Sequence, residues 1–257
     1  MSFITGNGFK NFAHYIFDEC GFRTHKPIDD ETPIFFVKTD YIDIFFNNNS
    51  LLPNYKFKLI THNSDYSINY KHANYINNIN LEKWFAQNVE YEHEKLIPIP
   101  IGIANSEWSH GDISVLQKVI DQKYNKQNIM YANFNIRTNP NQRKHCLANI
   151  PSEFVDNDVP FETYLVRTAK SYFTICPLGN GIDSHRIWES LYLKSIPVVE
   201  NTYNISYLSK KYRLPVILIE DWSQVPYLKL EINLYQKMIE NFDPLCLTIP
   251  KIIDEKL

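Results

Sequence analysis

Between Pro177 and Glu189 the chain reads PLGNGIDSHRIWE, a combination of residue types and spacing suited to holding an anion. Pro177-Leu178-Gly179-Asn180-Gly181 forms a turn whose two glycines can take positive φ and let a ligand approach the backbone. Asp183 or Ser184 stands at the N-cap of a helix expected to run to about Lys194, with Ile187 and Leu191 on one face. A helix N-terminus offers free N–H groups and roughly half a positive charge, which suits a phosphate. His185, Arg186 and Glu189 fall within its first turn, where i,i+3 and i,i+4 spacings share a face. Arginine forks onto phosphate oxygens, and a carboxylate can accept both hydrogen bonds of a ribose diol. His185 can donate to a phosphate or sugar, or pack. The set suits a nucleoside diphosphate. A Gly-rich turn followed by a surface ion pair has the same spacing, and spacing alone does not separate the two.

The elements that must position these groups can be read on either side. Ser171 to Cys176 and Ile196 to Val199 are apolar, β-branched runs, so the segment is a strand–loop–helix–strand unit of a parallel sheet. Upstream, Ile129 to Phe134 predicts a strand, followed by the loop Asn135 to Asn141 and a helix from about Gln142 to Ala148. Arg137 and Arg143 flank that helix start, where a diphosphate facing two loops would need them; Arg143 also fits an ordinary surface position. Glu153 to Val155 reads as a short strand and Phe161 to Lys170 as a helix. Asp156-Asn157-Asp158 between them matches a cation-holding Asp-x-Asp pair, but Asp and Asn favour turns and caps, and that reading is preferred. A helix over Thr202 to Lys211, a strand over Val216 to Ile219 and a polar helical stretch from Asp221 toward Asn241 follow.

In the N-terminal half, Phe3-Ile4 predicts a short strand. Gly6-Asn7-Gly8 then makes a turn before a helix from Phe9 to Phe17; this Gly-x-Gly lacks a complete dinucleotide fingerprint. Pro33 to Lys38 is a buried strand ending in Thr39-Asp40, and Lys58 to Thr61 another ending in His62-Asn63-Ser64-Asp65. Leu96 to Ile101 is an extended run whose two prolines place it at a sheet edge, leading to Asn105, Glu107, Trp108 and His110. Ser67 to Trp84 reads as an outer helix and loop, and Leu116 to Tyr124 as a helix. In open parallel sheets ligands bind beyond the carboxyl ends of strands, so these polar clusters should converge on one rim. The connection at Asp121 to Asn128 divides the chain into domains 1–125 and 126–257.

The balance of charges narrows the partners. A formal net charge of −3 gives no electrostatic case for nucleic acid or an anionic membrane. Cys20, Cys146, Cys176 and Cys246 form no C-x-x-C pair, so neither a zinc site nor a disulfide framework is indicated. No run approaches the ~20 apolar residues of a membrane span, and the expectation is a cytoplasmic protein without membrane insertion.

PLGNGIDSHRIWESLYLKSIPVV resembles the signature phrase of exostosin-like glycosyltransferases, P-x-G-N-G-x-D-x-H-R-x-W-E-x-L-x-x-G-x-I-P-V-V. Lys194 or Ser195 stands where that family usually has glycine. Weaker likeness extends through Tyr131 to Asn135 and Ile99 to Trp108, and the Asn-, Ile-, Lys- and Tyr-rich character is similar to members encoded by large DNA viruses of algae and protists, which would place the enzyme in host cytoplasm. The resemblance implies an α/β, GT-B fold: two Rossmann-like domains facing across a cleft, the C-terminal one holding the nucleotide-sugar and the tail from Pro244 to Leu257 packing back onto the first domain. It implies transfer from a UDP-sugar, with a lean to UDP-xylose, to a glycan or glycoprotein-glycan hydroxyl. Donor-binding candidates are Arg137, Arg143, Gly179, Asn180, Gly181, Asp183, His185, Arg186 and Glu189. No cofactor or metal is expected. An inverting reaction needs a proton acceptor from the N-terminal domain. Asp65 is the first choice, ahead of Asp40, His62 and His110, although Asp65 could instead cap the segment after it. Two alternatives are a non-catalytic carbohydrate- or nucleotide-binding module and a metal-dependent transferase using Asp156 and Asp158.

Overall fold

Apolar runs bounded by polar turns build two sheets, and the computed structural model describes residues 3–28, 32–244 and 247–249. The first half contains α1 (Gly6–Lys10), β1 (Tyr15–Asp18), β2 (Gly21–Thr24), β3 (Ile34–Lys38), α2 (Ile42–Asn47), β4 (Phe57–His62), α3 (Ala73–Ile76), β5 (Leu81–Ala86), β6 (Leu96–Pro98) and α4 (Ile113–Asp121). Its six strands run in the order β2-β1-β3-β4-β5-β6. Only the β1–β2 hairpin is antiparallel. The second half contains β7 (Asn128–Asn133), α5 (Pro140–Ala148), β8 (Val155–Asp156), α6 (Phe161–Ala169), β9 (Ser171–Ile175), α7 (His185–Tyr192), β10 (Ile196–Glu200), α8 (Tyr203–Tyr212), β11 (Ile217–Ile219) and α9 (Ile232–Ile239). Its five strands are all parallel, ordered β11-β10-β9-β7-β8. The protein is thus α/β with two sheets dominated by parallel pairing, consistent with two Rossmann-like domains.

The two sheets share apolar packing. Ile34, Phe36, Ile60 and Phe85 from one face of the first sheet belong to the same cluster as Leu116 and Val119 of α4 and Leu165, Trp188 and Leu191 of α6 and α7. Helix α4 therefore acts as a wedge, its apolar stripe facing α6 and its Lys118 paired with Glu162 at 2.6 Å. Burying each such Leu or Val contributes roughly 1.5–3 kcal/mol, so the halves are joined by packing as well as by chain. Among the described residues, no helix is long and apolar enough to cross a membrane.

Several elements differ from expectation. Phe3-Ile4 is extended but unpaired in a sheet; the Ile4 carbonyl accepts from the Ile103 N–H at 2.9 Å. Gly6 and Gly8 lie inside α1 rather than before it, because the Thr5 hydroxyl accepts from the Gly8 N–H at 2.9 Å and caps the helix. The helix expected over Phe9 to Phe17 gives way to β1, whose alternating burial suits Tyr15-Ile16-Phe17. The region 67–84 holds the start of the inner strand β5, disguised by Glu82 and Lys83 at half-exposed positions. The short strand expected over Glu153 to Val155 begins at Val155 after a 3-10 turn. Helix α7 stops at Tyr192, short of Lys194, which turns the chain with φ of 53°. Ile249 of the tail meets α1 at Gly8, and residues from 250 onward lie outside the described ones.

Candidate functional site

The order of the five-stranded sheet reverses between β7 and β9, and the loops leaving those strands open a crevice of the kind that binds ligands in doubly wound sheets. Arg143 of α5 ties the two loops together. Its Nε donates to the Leu178 carbonyl at 2.9 Å and its Nη1 to the Asn135 carbonyl at 2.7 Å. Asn139 adds a third tie, donating to the Gly179 carbonyl at 2.9 Å. Burial, and then the neighbouring Arg186, lower the Arg143 pKa to about 10, which leaves it cationic at neutral pH.

Helix α7 starts at this crevice with Ser184 as N-cap, and no side chain caps it; the Ile187 N–H bonds back to the Ser184 carbonyl at 3.0 Å, and among the described residues no side chain takes the amides of His185 and Arg186. The Arg186 guanidinium lies 5.8 Å over the Tyr164 ring, and its Nε is buried without a hydrogen-bond partner. Glu189 is buried too, and Tyr164 donates to its Oε2 at 2.7 Å. Burial raises the Glu189 pKa against the pull of Arg186 and the Tyr164 hydroxyl. Tyr164 on α6 thus contacts both Arg186 and Glu189. Two guanidinium groups and an uncapped helix end converge on a site that can offset a diphosphate.

Three expectations change here. Asp183 caps nothing with a free oxygen: it accepts from the Ile101 N–H at 2.8 Å, the Ser184 N–H at 2.8 Å and the Trp188 indole at 2.9 Å. It is a buried tie between the halves, and burial raises its pKa to about 6. Gly179 and Gly181 do not take positive φ. Gly181 is glycine for proximity, because a Cβ there would lie 2.5 Å from Nδ2 of Asn88 across the interface. His185 is no donor to a phosphate in this state. Its Nδ1 sits 2.7 Å from the Gly102 carbonyl, which can only accept, so the proton is on Nδ1 and Nε2 carries a lone pair. Burial, above all, depresses the His185 pKa to about 4 and keeps the ring neutral at pH 7.

Residues from both halves line one cavity of about 970 Å³. Every donor-binding and base candidate except Arg137 lines it, and Arg137 is exposed. The ends of β3 and β4 and the 102–112 loop deliver Asp40, Asp65, Asn105, Glu107, Trp108 and His110 to it. Asp65 accepts from the Asn180 Nδ2 at 3.1 Å, across from the Gly179–Gly181 turn. His62 differs from expectation: it has no free nitrogen. Its Nε2 donates to the Pro100 carbonyl at 3.1 Å, and its Nδ1 accepts from the Asn63 N–H at 2.7 Å. Desolvation lowers its pKa to about 4, so it is a buried neutral support rather than a base.

Sequence reasoning missed Lys10 and Asp18, which also line the cavity, because the β1–β2 hairpin was not foreseen. Asp18 is clamped by Lys10 at 2.9 Å and Arg23 at 2.6 Å, which hold its carboxyl far below the usual range. The alternation of Tyr15-Ile16-Phe17 ending in Asp18-Glu19 was the available signal. Tyr164 was missed for want of any local signature. Asp156 is paired with Arg167, and neither Asp156 nor Asp158 lines the cavity. Among the described residues, no group of three or more His, Cys, Asp or Glu side chains is placed to hold a metal ion.

Comparison with known proteins adds a family likeness over the second half of the chain. Residues 118–241 match the family described as the RXYLT1 C-terminal domain, a xylosyltransferase-related, exostosin-like family. The match covers the five-stranded sheet with Arg143, Arg186 and Glu189, and it supports a glycosyltransferase family for the chain. No curated protein matches the sequence.

Proposed function

We propose that the protein is a GT-B-type glycosyltransferase that moves a sugar, with UDP-xylose the first donor to try, from a UDP-sugar to a glycan hydroxyl. The observation that carries this reading is the convergence of Arg143, Arg186 and the uncapped end of α7 at the reversal of the five-stranded sheet. Arg186 has an unsatisfied buried Nε and Arg143 is fixed by two carbonyls, so both are preorganised for the charge that develops on a departing diphosphate. Glu189 receives the ribose hydroxyls, with one carboxylate oxygen already held by Tyr164. The positive charge on this side is supplied by the protein, so the reading takes transfer to be metal-independent, and EDTA is expected to leave turnover unchanged.

Asp65 serves as the base. Its contact with Asn180 sets it beside the diphosphate turn, and its charge is felt at His185 on the first residue of α7. The acceptor O–H gives its proton to Asp65 as its oxygen bonds to the anomeric carbon. The carbon–oxygen bond to the diphosphate breaks on the opposite face, UDP leaves with the electron pair, and configuration inverts.

Calorimetry with UDP tests the reading. The unsubstituted protein should bind it, and the double variant Arg186→Ala, Glu189→Ala should lose most of that affinity, each lost donor or acceptor costing on the order of 1–3 kcal/mol. Unchanged UDP affinity in the double variant would overturn the assignment. A screen for UDP release from UDP-sugars then names the donor.

A further inference from the structure

The 102–112 loop carries the protein's one accessible tryptophan. Of four tryptophans, Trp84, Trp188 and Trp222 are fully buried, whereas Trp108 is 60 % exposed and lines the cavity. A large apolar ring left open inside a polar cavity costs hydration free energy unless a ligand covers it. Its surroundings are built rather than loose. Asn105 accepts from the Asn7 N–H at 2.8 Å and donates to Asn63 at 3.2 Å, and Asn63 donates back to the Asn7 side chain at 3.4 Å. This closed cycle joins α1, the end of β4 and the loop. The Asn7 amide also donates to Glu107 at 3.1 Å, which fixes that carboxylate next to the indole. The rings continue inward: Trp108 to His110 at 6.2 Å, and His110 to His185 at 6.1 Å. The platform therefore leads to the first residue of α7.

The charges around it select against an anion. The two lysines of this wall are already paired, Lys10 with Asp18 at 2.9 Å and Lys38 with Glu19 at 3.4 Å. Asp40, Asp65 and Glu107 line the same wall with no cation paired to them among the described residues. Carboxylates and amide oxygens accept hydrogen bonds from sugar hydroxyls, and a flat indole covers the C–H face of a pyranose.

We propose that Trp108 and Glu107 form the acceptor subsite, and that it takes an uncharged pyranose stacked on the indole with its hydroxyls bonded to Glu107. The proposal rests on the glycosyltransferase reading for the word acceptor, but the platform can be tested apart from it. Acrylamide quenching of intrinsic fluorescence reports mainly on Trp108, the other tryptophans being enclosed. A panel of methyl pyranosides, with and without saturating UDP, should protect Trp108 from quenching, while a hexose 6-phosphate should not. In transfer assays Trp108→Ala should raise the KM for the acceptor about ten-fold with UDP affinity unmoved, and Trp108→Phe should recover part of it. Glu107→Gln should raise the same KM. Equal quenching of Trp108 at every sugar concentration, or preferential protection by the phosphorylated sugar, overturns the proposal. If UDP fails to bind while methyl pyranosides still protect Trp108, the donor reading falls and the platform stands.

Discussion

Around the five-stranded sheet the cavity groups are buried and held before any ligand arrives: Arg143 by two carbonyls, Glu189 by Tyr164, Asp183 by three N–H donors. Around the six-stranded sheet Asp40, Asp65, Glu107 and Trp108 are exposed and lean on asparagine amides or on nothing. Buried charges are costly unless matched, so the first set is tuned to one complementary ligand and tolerates little change. Exposed groups on strand-end loops can be altered at small cost to folding. Replacing residues on the two sides should therefore separate cleanly, one side governing the nucleotide and the other the acceptor and its proton.

The sharpest break would come from Asp65→Asn. Asparagine can still accept from Asn180 through its own oxygen, so the loop contact survives while the base is lost. Transfer should fall by roughly 10²–10⁴-fold, with UDP affinity retained. Quench-flow or steady-state assays beside calorimetry check this, and normal turnover would remove Asp65 as the base and put Asp40 next in line.

The two histidines sharpen the comparison by pH. His62 and His185 both have folded pKa values near 4 against an ordinary value near 6.5, because burial disfavours the charged rings. A depressed histidine means that the unfolded chain takes up protons first, so stability is full above pH 6.5 and is lost as pH falls toward 4, by up to about 3 kcal/mol for each ring. Asp183, raised to about 6, works in the opposite sense: its contribution is full below pH 3.8 and is lost as pH rises through 6. Two rings outweigh one carboxyl, so the unfolding midpoint should drop between pH 6.5 and 4. Bound UDP should distinguish the rings. Its diphosphate should raise the pKa of His185 and leave His62, whose nitrogens are both occupied, where it was. Histidine NMR titrations with and without UDP read this directly.

Gly181 tests what the two halves ask of each other. In Gly181→Ala the new Cβ meets Asn88 Nδ2 at 2.5 Å. Asn88 is fully buried, accepts from the Asp183 N–H at 3.0 Å and donates toward the Ser64 and Asp65 carbonyls. It cannot move without breaking those bonds, so about 1–3 kcal/mol of stability should be lost. Gly179→Ala has 3.8 Å to its nearest neighbour and should cost no more than about 0.5 kcal/mol. Denaturant midpoints for the pair settle whether the glycine serves packing or backbone freedom.

The same contrast explains what could be read from the chain alone. The donor side proposed above occupies one phrase from Pro177 to Glu189, because a helix N-terminus, an arginine and a carboxylate lie within a single turn there, and local spacing shows that. Strands β3, β4, β7, β9 and β10 were legible for the same reason: they are short apolar runs buried on both faces. The partners that fix the phrase were hidden. Tyr164 and Asn88 meet it only through the tertiary fold, and no spacing encodes a contact between Asn88 and Asp183. Strand β5 was lost because Glu82 and Lys83 imitate a helix or loop, and β1 because Phe9, Phe12, Ala13, Ile16 and Phe17 also fall at helical spacing. His62 misled for a related reason: a histidine after a strand suggests a base, and only the carbonyl of Pro100 shows that its nitrogen is taken.

The smallest effect lies where the phrase departs from the exostosin-like pattern that it resembles. Glycine usually stands near Lys194 in that pattern, and here Lys194 itself takes the left-handed conformation, φ 53°, two residues past the end of α7. A Cβ in that region is strained, and glycine is the residue that ends helices there without penalty. Tyr235 donates to the Lys194 carbonyl at 2.9 Å, a backbone contact that survives any substitution. Lys194 also lies close enough to the half-buried Lys126 to help lower its pKa to about 7, after desolvation. Lys194→Gly therefore relieves backbone strain and removes a like charge, against the greater freedom glycine gives the unfolded chain. A net gain of roughly 0.5–1 kcal/mol is expected. It should appear as a higher denaturant midpoint with UDP affinity unchanged. Lys194→Ala, which keeps the Cβ and drops the charge, should recover only the electrostatic part, and equal gains from both would assign the effect to Lys126 rather than to the backbone.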